Sequence, residues 1–356
     1  MKMKQIYQYS LVCILLISVP TLCSAQFKDS KTYTKAISLR EGGRLSLRNK
    51  HGNINITSWD KDSVVLTATI SGRSKSLAKL QESIAKTNIN FRQSGNSVDI
   101  ATVISETSFS KGLNQIMSAV GVENEITINY EIKVPRGMRM AITNKYGDIY
   151  LDNHTGKLDI ELSHGNLRAN SLKEVNHLRS NFGNIYIIEV EKLKGNLLFS
   201  QLEIEKADIL DLSSKSTEYE FETVNQLRIS SSNDKIDIDE VGDFNLVGSL
   251  SKVSIDDLLN SSSISLKYGK VRIKKVHKEV CSFMATTTRC TLEIGLEKGS
   301  NNKKISGMIG EGQIQNVNPD LKIISKSLNL DAHIGDVNAA NCTYHFTCQK
   351  TKIYFK

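Results

Sequence analysis

Between about residue 138 and residue 273 one short pattern returns again and again, first whole in MRMAITNKYGDIYLDNHTGKLDIEL at 138–162. With Gly147 as position zero, equivalent turns fall at Gly165, Gly183, Thr217, Asp234, Ser251 and Gly269, at intervals of 18, 18, 34, 17, 17 and 18 residues. The interval of 34 is two coils of 17, whose middle turn, near Ser200 or Leu202, has no unique place in the sequence. Five residues before the turn stand Ile142, Ile160, Leu178, Leu212, Ile229, Leu246 and Ile264. Two after it come Ile149, Leu167, Ile185, Tyr219, Ile236, Val253 and Val271, and four after it Leu151, Ala169, Ile187, Phe221, Ile238, Ile255 and Ile273. All 21 slots are apolar in a chain that is only 39% apolar, while the positions between them, such as Asp148, Lys235 and Arg272, are polar or tyrosine.

Alternation with period 2 inside a repeat of fixed length marks a strand that cannot bury its inner face alone and closes a core only by stacking on its copies. The fold class expected is therefore all-β, a parallel β-helix (β-solenoid) with coils of 17–18 residues. A core that grows in one dimension also suits the length. Removing 25 leader residues from 356 leaves 331, more than a usual compact domain, with no linker and only two prolines, Pro135 and Pro319.

Residues 1–25 read as a signal peptide, with Lys2 and Lys4 before an apolar run from Leu11 to Val19 and Cys23-Ser24-Ala25 at the cleavage site. Lipid attachment at Cys23 is disfavoured by the bulky Leu22 before it. No second apolar span follows, so no transmembrane segment is expected after signal removal. Residues 26–139 form an N-terminal β region packed on the solenoid, in which His51-Gly52-Asn53-Ile54 is an earlier copy of the turn. SVVLTATI at 63–70 is a strand, Leu77, Leu80 and Ile84 mark a short helix over about 76–86, and Gly95-Asn96 joins a hairpin of strands at 88–93 and 97–104. Ser105 to Asn124 is the least periodic stretch. Residues 140–356 are the solenoid with a C-terminal cap: rungs at 290–295, 312–317 and 335–339, and a final hairpin from Thr343 to Phe355 covering the open edge.

The export signal, the run VPRGMRMAITNKYGDIYLDN and the recurring G-[ND]-[IL] turns resemble the "putative adhesin" family of bacterial envelope β-strand repeat proteins, and a related group of auto-transporter adhesin head domains. The resemblance implies an all-β solenoid, export to the periplasm, outer membrane surface or medium, and an adhesin-like role. It defines no functional residues to carry over.

Tyr146, His164 and Phe182, with Tyr268 further on, precede turns and stack as an aromatic ladder on one edge, either a sugar-binding strip or cross-strand packing. Lys235, Lys252 and Lys270 share one outward column, and Glu222, Asp239 and Asp256 share another in which a cation could bridge carboxylates. The basic run KYGKVRIKKVHK, with Lys270 and Arg272 outward, faces either an acidic polymer or only solvent.

Cys281, Cys290, Cys342 and Cys348 survive processing. In an exported chain they suggest disulfides, with Cys281–Cys290 and Cys342–Cys348 the local choice among three pairings. Their gaps are unlike the CxxC spacing of zinc sites. The seven histidines sit in no catalytic motif, and coils this short leave little loop for groove walls around pairs such as Asp148 with Asp152 or Asp237 with Asp239. No enzyme, no cofactor and no nucleic-acid partner are expected. The net charge of +8, about +6 after leader removal, is modest for the length. The leading reading is an adhesin-like module contacting glycan or an envelope protein, the alternative is a structural or regulatory envelope component, and a carbohydrate-active enzyme is the third reading.

Overall fold

The computed structural model describes residues 26–39, 42–104, 125–299, 302–326 and 328–356. The leader, with the readings placed on it, and the Ser105–Asn124 stretch lie outside the described residues. Among the described residues, everything except one short helix and one 3-10 turn is strand and connection, joined in a single sheet of 25 strands.

Successive coils pair in parallel: Ile160 lies opposite Leu178, Leu202 opposite Tyr219, Leu212 opposite Ile229 and Ile238 opposite Ile255. All 21 inward slots named above are exposed by 4% or less. Each such side chain contributes about 2 kcal/mol by leaving water, and one continuous core holds them all. In the strand Glu218–Ser232 the buried residues are Tyr219, Phe221, Val224, Leu227, Ile229 and Ser231, with Thr217 before them and Asp234 after. Strict alternation therefore slips by one residue at three places in the coil, which are its bends. Where a coil gains an eighteenth residue, the register shift falls at a far bend, between Val175 and Leu178 or opposite Val241 and Asp243.

The sharpest bend is made the same way each time. The residue before position zero has a positive φ, between 49° and 62°, at His51, Tyr146, His164, Phe182, Phe199, Ser216, Asn233, Leu250, Tyr268 and Arg289. Phe199 identifies Ser200 as the turn that the sequence left open. Its coil was hidden because Gly195 fills the slot five residues before it, packed against Leu193, Leu197 and Leu212. At Gly147 a Cβ would lie 2.1 Å from the Gly52 carbonyl oxygen, which is why this column opens with glycines. In the next coils Ser200, Thr217, Asp234 and Ser251 take that place and turn polar side chains inward.

One backbone bond, from the amide of the positive-φ residue to a carbonyl of the next coil, traces the stacking order. It runs from His51 to Lys145, from Tyr146 to Ser163 and onward to Tyr268 and Thr288. The His51 coil (Arg44–Lys50 and Ile54–Trp59) thus stacks directly on the Tyr146 coil. Beyond it, Ser97–Ile104 and Glu125–Pro135 add parallel strands, and Ser63–Ser74 and Phe27–Ser38 close that end antiparallel. The helix Leu77–Lys86, capped by the Ser76 side chain, buries Leu80 and Ile84.

At the other end the expected order needs correction. The Arg289 amide bonds to Gln349, and the Lys350 amide to Gly310. The final segment, strands Cys342–Gln349 and Lys352–Phe355, is therefore no cap. It is an inner coil, parallel to Ser282–Thr288 on one side and to Lys303–Gly310 on the other. The cap is the antiparallel pair Leu321–Lys326 and Asn329–Ile334, and the expected rung at 335–339 is a 3-10 turn, Val337–Ala339. Parallel pairing leaves no local sequence mark, so the order of coils is set only in three dimensions.

Two buried basic side chains are held by backbone carbonyls. Lys303, fully buried, donates to Lys278 O at 2.7 Å and Val280 O at 2.8 Å, with burial pushing its pKa down. His154, 1% exposed, lies 2.7 Å from Met138 O through Nε2 and 3.2 Å from the Ser58 hydroxyl through Nδ1. A carbonyl only accepts, so Nε2 carries the proton and neutral Nδ1 accepts from Ser58. Burial lowers the His154 pKa below 6.5. The unfolded chain then binds the proton first, and stability falls as pH drops below 6.5, by at most about 1.4 kcal/mol per pH unit for one group. Urea midpoints at pH 7.5 and 5.5 should show the loss, and His154→Gln should reduce it; an unchanged slope in the variant would exclude His154 as its source.

Candidate functional site

The positive-φ edge carries the most distinctive surface. His51, Tyr146, His164, Phe182 and Phe199 form an unbroken stack, with ring centroids 5.1, 5.1, 5.1 and 5.2 Å apart and ring planes within 10° of parallel. The spacing follows the roughly 4.8 Å between strands. Non-glycine residues at positive φ are uncommon and bulky ones strained, yet Tyr146, Phe182 and Phe199 stand half exposed, at 50%, 54% and 50%. Burial does not offset that strain; ring stacking does so in part, at about 1 kcal/mol per pair.

Beyond Phe199 the edge continues as Ser216, Asn233, Leu250 and Tyr268. Tyr268 therefore belongs to the edge but not to the stack, and Arg289 lies over its ring at 5.6 Å. Of the four residues the sequence singled out, three stand in the stack, which gains His51 and Phe199. His51 sits on the turn copy that the sequence did show, and Phe199 on the coil that Gly195 concealed. In the stack the ring faces meet one another, so solvent sees rims.

Beside the ladder, on the other side of the glycine column, runs a second one. Asn129 Oδ1 accepts from Asn53 N, Asn53 Oδ1 from Asp148 N, and Asp148 Oδ1 from Asn166 N and Nδ2, all at 2.8–2.9 Å. This is the physical content of the G-[ND] motif. One side chain per coil satisfies a backbone amide of the next, and the turns are held in register.

The charged columns are largely self-paired. Lys235 lies 2.6 Å from Glu218 and 2.8 Å from Asp237, which together raise its pKa, Asp237 more than Glu218. Lys252 is exposed and makes no ion pair among the described residues. Lys270, Arg272 and Lys356 converge on Glu293, at 2.5, 3.9 and 2.8 Å, and the bonds from Lys270 and then Lys356 hold its carboxyl at about 2. Lys274 meets Asp256 at 2.6 Å, and Lys275 meets Asp257 at 2.8 Å. The basic run is thus mostly neutralised by carboxylates on adjacent coils. Glu222, Asp239 and Asp256 do fall in one column. Asp256 is engaged by Lys274, and no three His, Cys, Asp or Glu side chains among the described residues are grouped to hold a metal ion.

The local cysteine pairings are also corrected. Cys281 and Cys342 form a disulfide, with Cα atoms 4.2 Å apart, and Cys290 and Cys348 are free and buried. Cys281 and Cys290 stand at opposite ends of the strand Ser282–Thr288, whereas residues 61 apart become neighbours through parallel pairing with Cys342–Gln349. Cys290 fills position zero as a serine would, its thiol 3.3 Å from Leu266 O and Thr288 O. Burial pushes Cys348 up to about 11 and raises Cys290 as well, so both remain thiols.

No family model matches the sequence, and no curated protein is significantly similar to it. Among solved structures the chain is similar to a "putative cell adhesion protein" from Clostridium sporogenes, at 11% identity over 92% of this chain and 99% of that one, TM-score 0.21. It is similar to a "putative adhesin" from Parabacteroides distasonis, at 12% identity over 72% and 97%, TM-score 0.32. A "putative lipid binding protein" from the same species gives 11% over 74% and 93%, TM-score 0.28. Likenesses this loose assign no function. No helix among the described residues is long and apolar enough to cross a membrane.

Proposed function

We propose that the protein is an exported, non-catalytic, adhesin-like binding module of the cell envelope, which contacts a protein or glycan partner along its solenoid surface. The observation that carries this reading is the aromatic edge: five stacked rings held at positive φ, of which Tyr146, Phe182 and Phe199 are half exposed, where asparagine or glycine would relieve the backbone at little cost in burial. Strain that packing does not require is a mark of a contact surface. Rims rather than faces are presented, and this favours the apolar surface of a protein at the ladder itself.

The test uses Tyr146→Asn, Phe182→Asn and Phe199→Asn together, since asparagine tolerates the turn conformation. Adherence to a panel of immobilised matrix and envelope proteins should fall about tenfold or more, with circular dichroism unchanged. A triple variant that adheres as well as the parent would remove the edge from the contact. The second reading, a structural component, is favoured by the same stacking if its role is to brace the turns. It predicts a parent protein that adheres to nothing on the panel and a triple variant with a lowered melting temperature.

A further inference from the structure

We infer that Tyr150, Arg168 and Tyr186, on an outward face of the first coils, form a platform for an extended, uncharged glycan. The inference rests on the binding-module reading and gives it a ligand class. The three residues are in direct register on adjacent strands, Tyr150 opposite Arg168 and Arg168 opposite Tyr186. The two tyrosines therefore stand about 9.6 Å apart, two strand spacings, which is the scale of two linked sugar rings. With Asn55, Thr57, Asp152 and Asn170 they line an open depression of about 370 Å³.

Three properties separate this face from the aromatic ladder. First, neither tyrosine stacks on another ring among the described residues, so their faces are not spent on each other. Second, both rings are tethered by their hydroxyls, Tyr150 donating to Asp148 Oδ2 at 3.2 Å and Tyr186 donating to Glu205, so little freedom remains to be lost on binding. Third, Arg168 is exposed and its guanidinium has no hydrogen bond or ion pair among the described residues, unlike the side chains of Lys235, Lys270 and Lys274. Its planar fork of donors stands between two ring platforms, beside an Asp152–Asn170 pair joined at 3.2 Å that keeps free lone pairs. Ring faces for the apolar side of a pyranose, and paired donors and acceptors for vicinal hydroxyls, are what a sugar requires.

The surrounding charge selects against acidic chains. Asp148, Asp152 and Glu205 lie around the platform, and Glu203 is opposite Tyr186 on the next coil. Carboxylates thus outnumber the one guanidinium, and a polyuronate, like a nucleic acid, would be repelled.

The experiment is titration calorimetry of the purified protein with cellohexaose, xylohexaose and mannohexaose, and with a hexamer of galacturonic acid as the charged control. At least one neutral hexaose should bind saturably. Tyr150→Ala, Tyr186→Ala and Arg168→Met should each weaken it about tenfold, the loss expected for one ring or one paired contact, while Val247→Ala, at an exposed position several coils away, leaves it unchanged. The double variant Tyr150→Ala/Tyr186→Ala should melt within a few degrees of the parent, because both side chains lie outside the core; if it unfolds, Arg168→Met alone decides. Binding of none of the neutral hexaoses, binding of the acidic hexamer alone, or binding that survives the tyrosine replacements would overturn the inference. If that happens while the parent still adheres to the protein panel, the module reading stands and only its ligand class is lost. If adherence is also absent, both fall.

Discussion

Asp234→Ala is expected to lower the free energy of unfolding by about 4 kcal/mol, among the largest losses open to a single substitution in this chain. Asp234 is 3% exposed and sits inside a turn with no cationic partner among the described residues. Four donors compensate its carboxylate: the Ser214 and Ser231 hydroxyls at 2.7 Å each, and the backbone amides of Thr217 at 2.8 Å and Ser232 at 3.0 Å. Removing the acceptor leaves the Ser214 hydroxyl and the Thr217 amide buried without it, at about 1–3 kcal/mol per unsatisfied group before relaxation, while Ser231 can turn to Ser251 Oγ and Ser232 N is only partly buried. Asp234→Asn keeps one acceptor oxygen but faces the remaining donors with an amide NH₂, so an intermediate loss of about 2 kcal/mol is expected. Ser251→Ala, at the same position one coil on, removes a hydroxyl that bonds Ser231 Oγ at 2.7 Å and Ser249 O at 3.0 Å, and should cost about 1 kcal/mol. Urea unfolding of the three variants tests the ranking. An Asp234→Ala protein within about 1 kcal/mol of the parent would show that the network is not required.

Loss of the disulfide should be comparably large. Cys281 and Cys342 are 61 residues apart in sequence, and a loop of that length restricts the unfolded chain by about 4 kcal/mol in the chain-entropy account. The bond also fastens the last coil at its point of entry between two others. Reduction, or Cys281→Ser with Cys342→Ser, should therefore lower the melting temperature by several degrees. Cys290 and Cys348 should stay unreactive toward thiol reagents until the protein unfolds, because both are buried and protonated. Peptide mapping without reductant is the direct check: a Cys281–Cys290 linkage would refute the topology at this end of the molecule.

Much of the surface was already legible from the pattern. Tyr146, His164 and Phe182 precede glycine turns at a constant interval, and in-register stacking turns a constant interval into a column. The same logic failed where the pattern was locally weak. Gly195 fills a slot that elsewhere holds leucine or isoleucine, so Phe199 was not recognised as the next ring. It failed again where charge was read coil by coil. KYGKVRIKKVHK looks basic only until Asp256, Asp257 and Glu293 arrive from neighbouring coils. Tyr150, Arg168 and Tyr186 were visible as outward positions, but that the guanidinium stays unpaired while Lys235, Lys270 and Lys274 do not is a fact about rotamers and neighbours.

By itself the order of amino acids determined which faces turn inward, where the sharp bends fall and that coils must stack, because burial of an alternating apolar face is a one-dimensional code written every second residue. Only the tertiary structure decided which coil lies next to which at the C-terminal end, hence that Cys281 meets Cys342, that 342–355 is an inner coil and that Leu321–Lys326 is the true edge. The reason is that a parallel strand pairs equally well with any partner of matching face. The choice among partners rests on connection length and on the packing of the whole stack, neither of which any single stretch of sequence records.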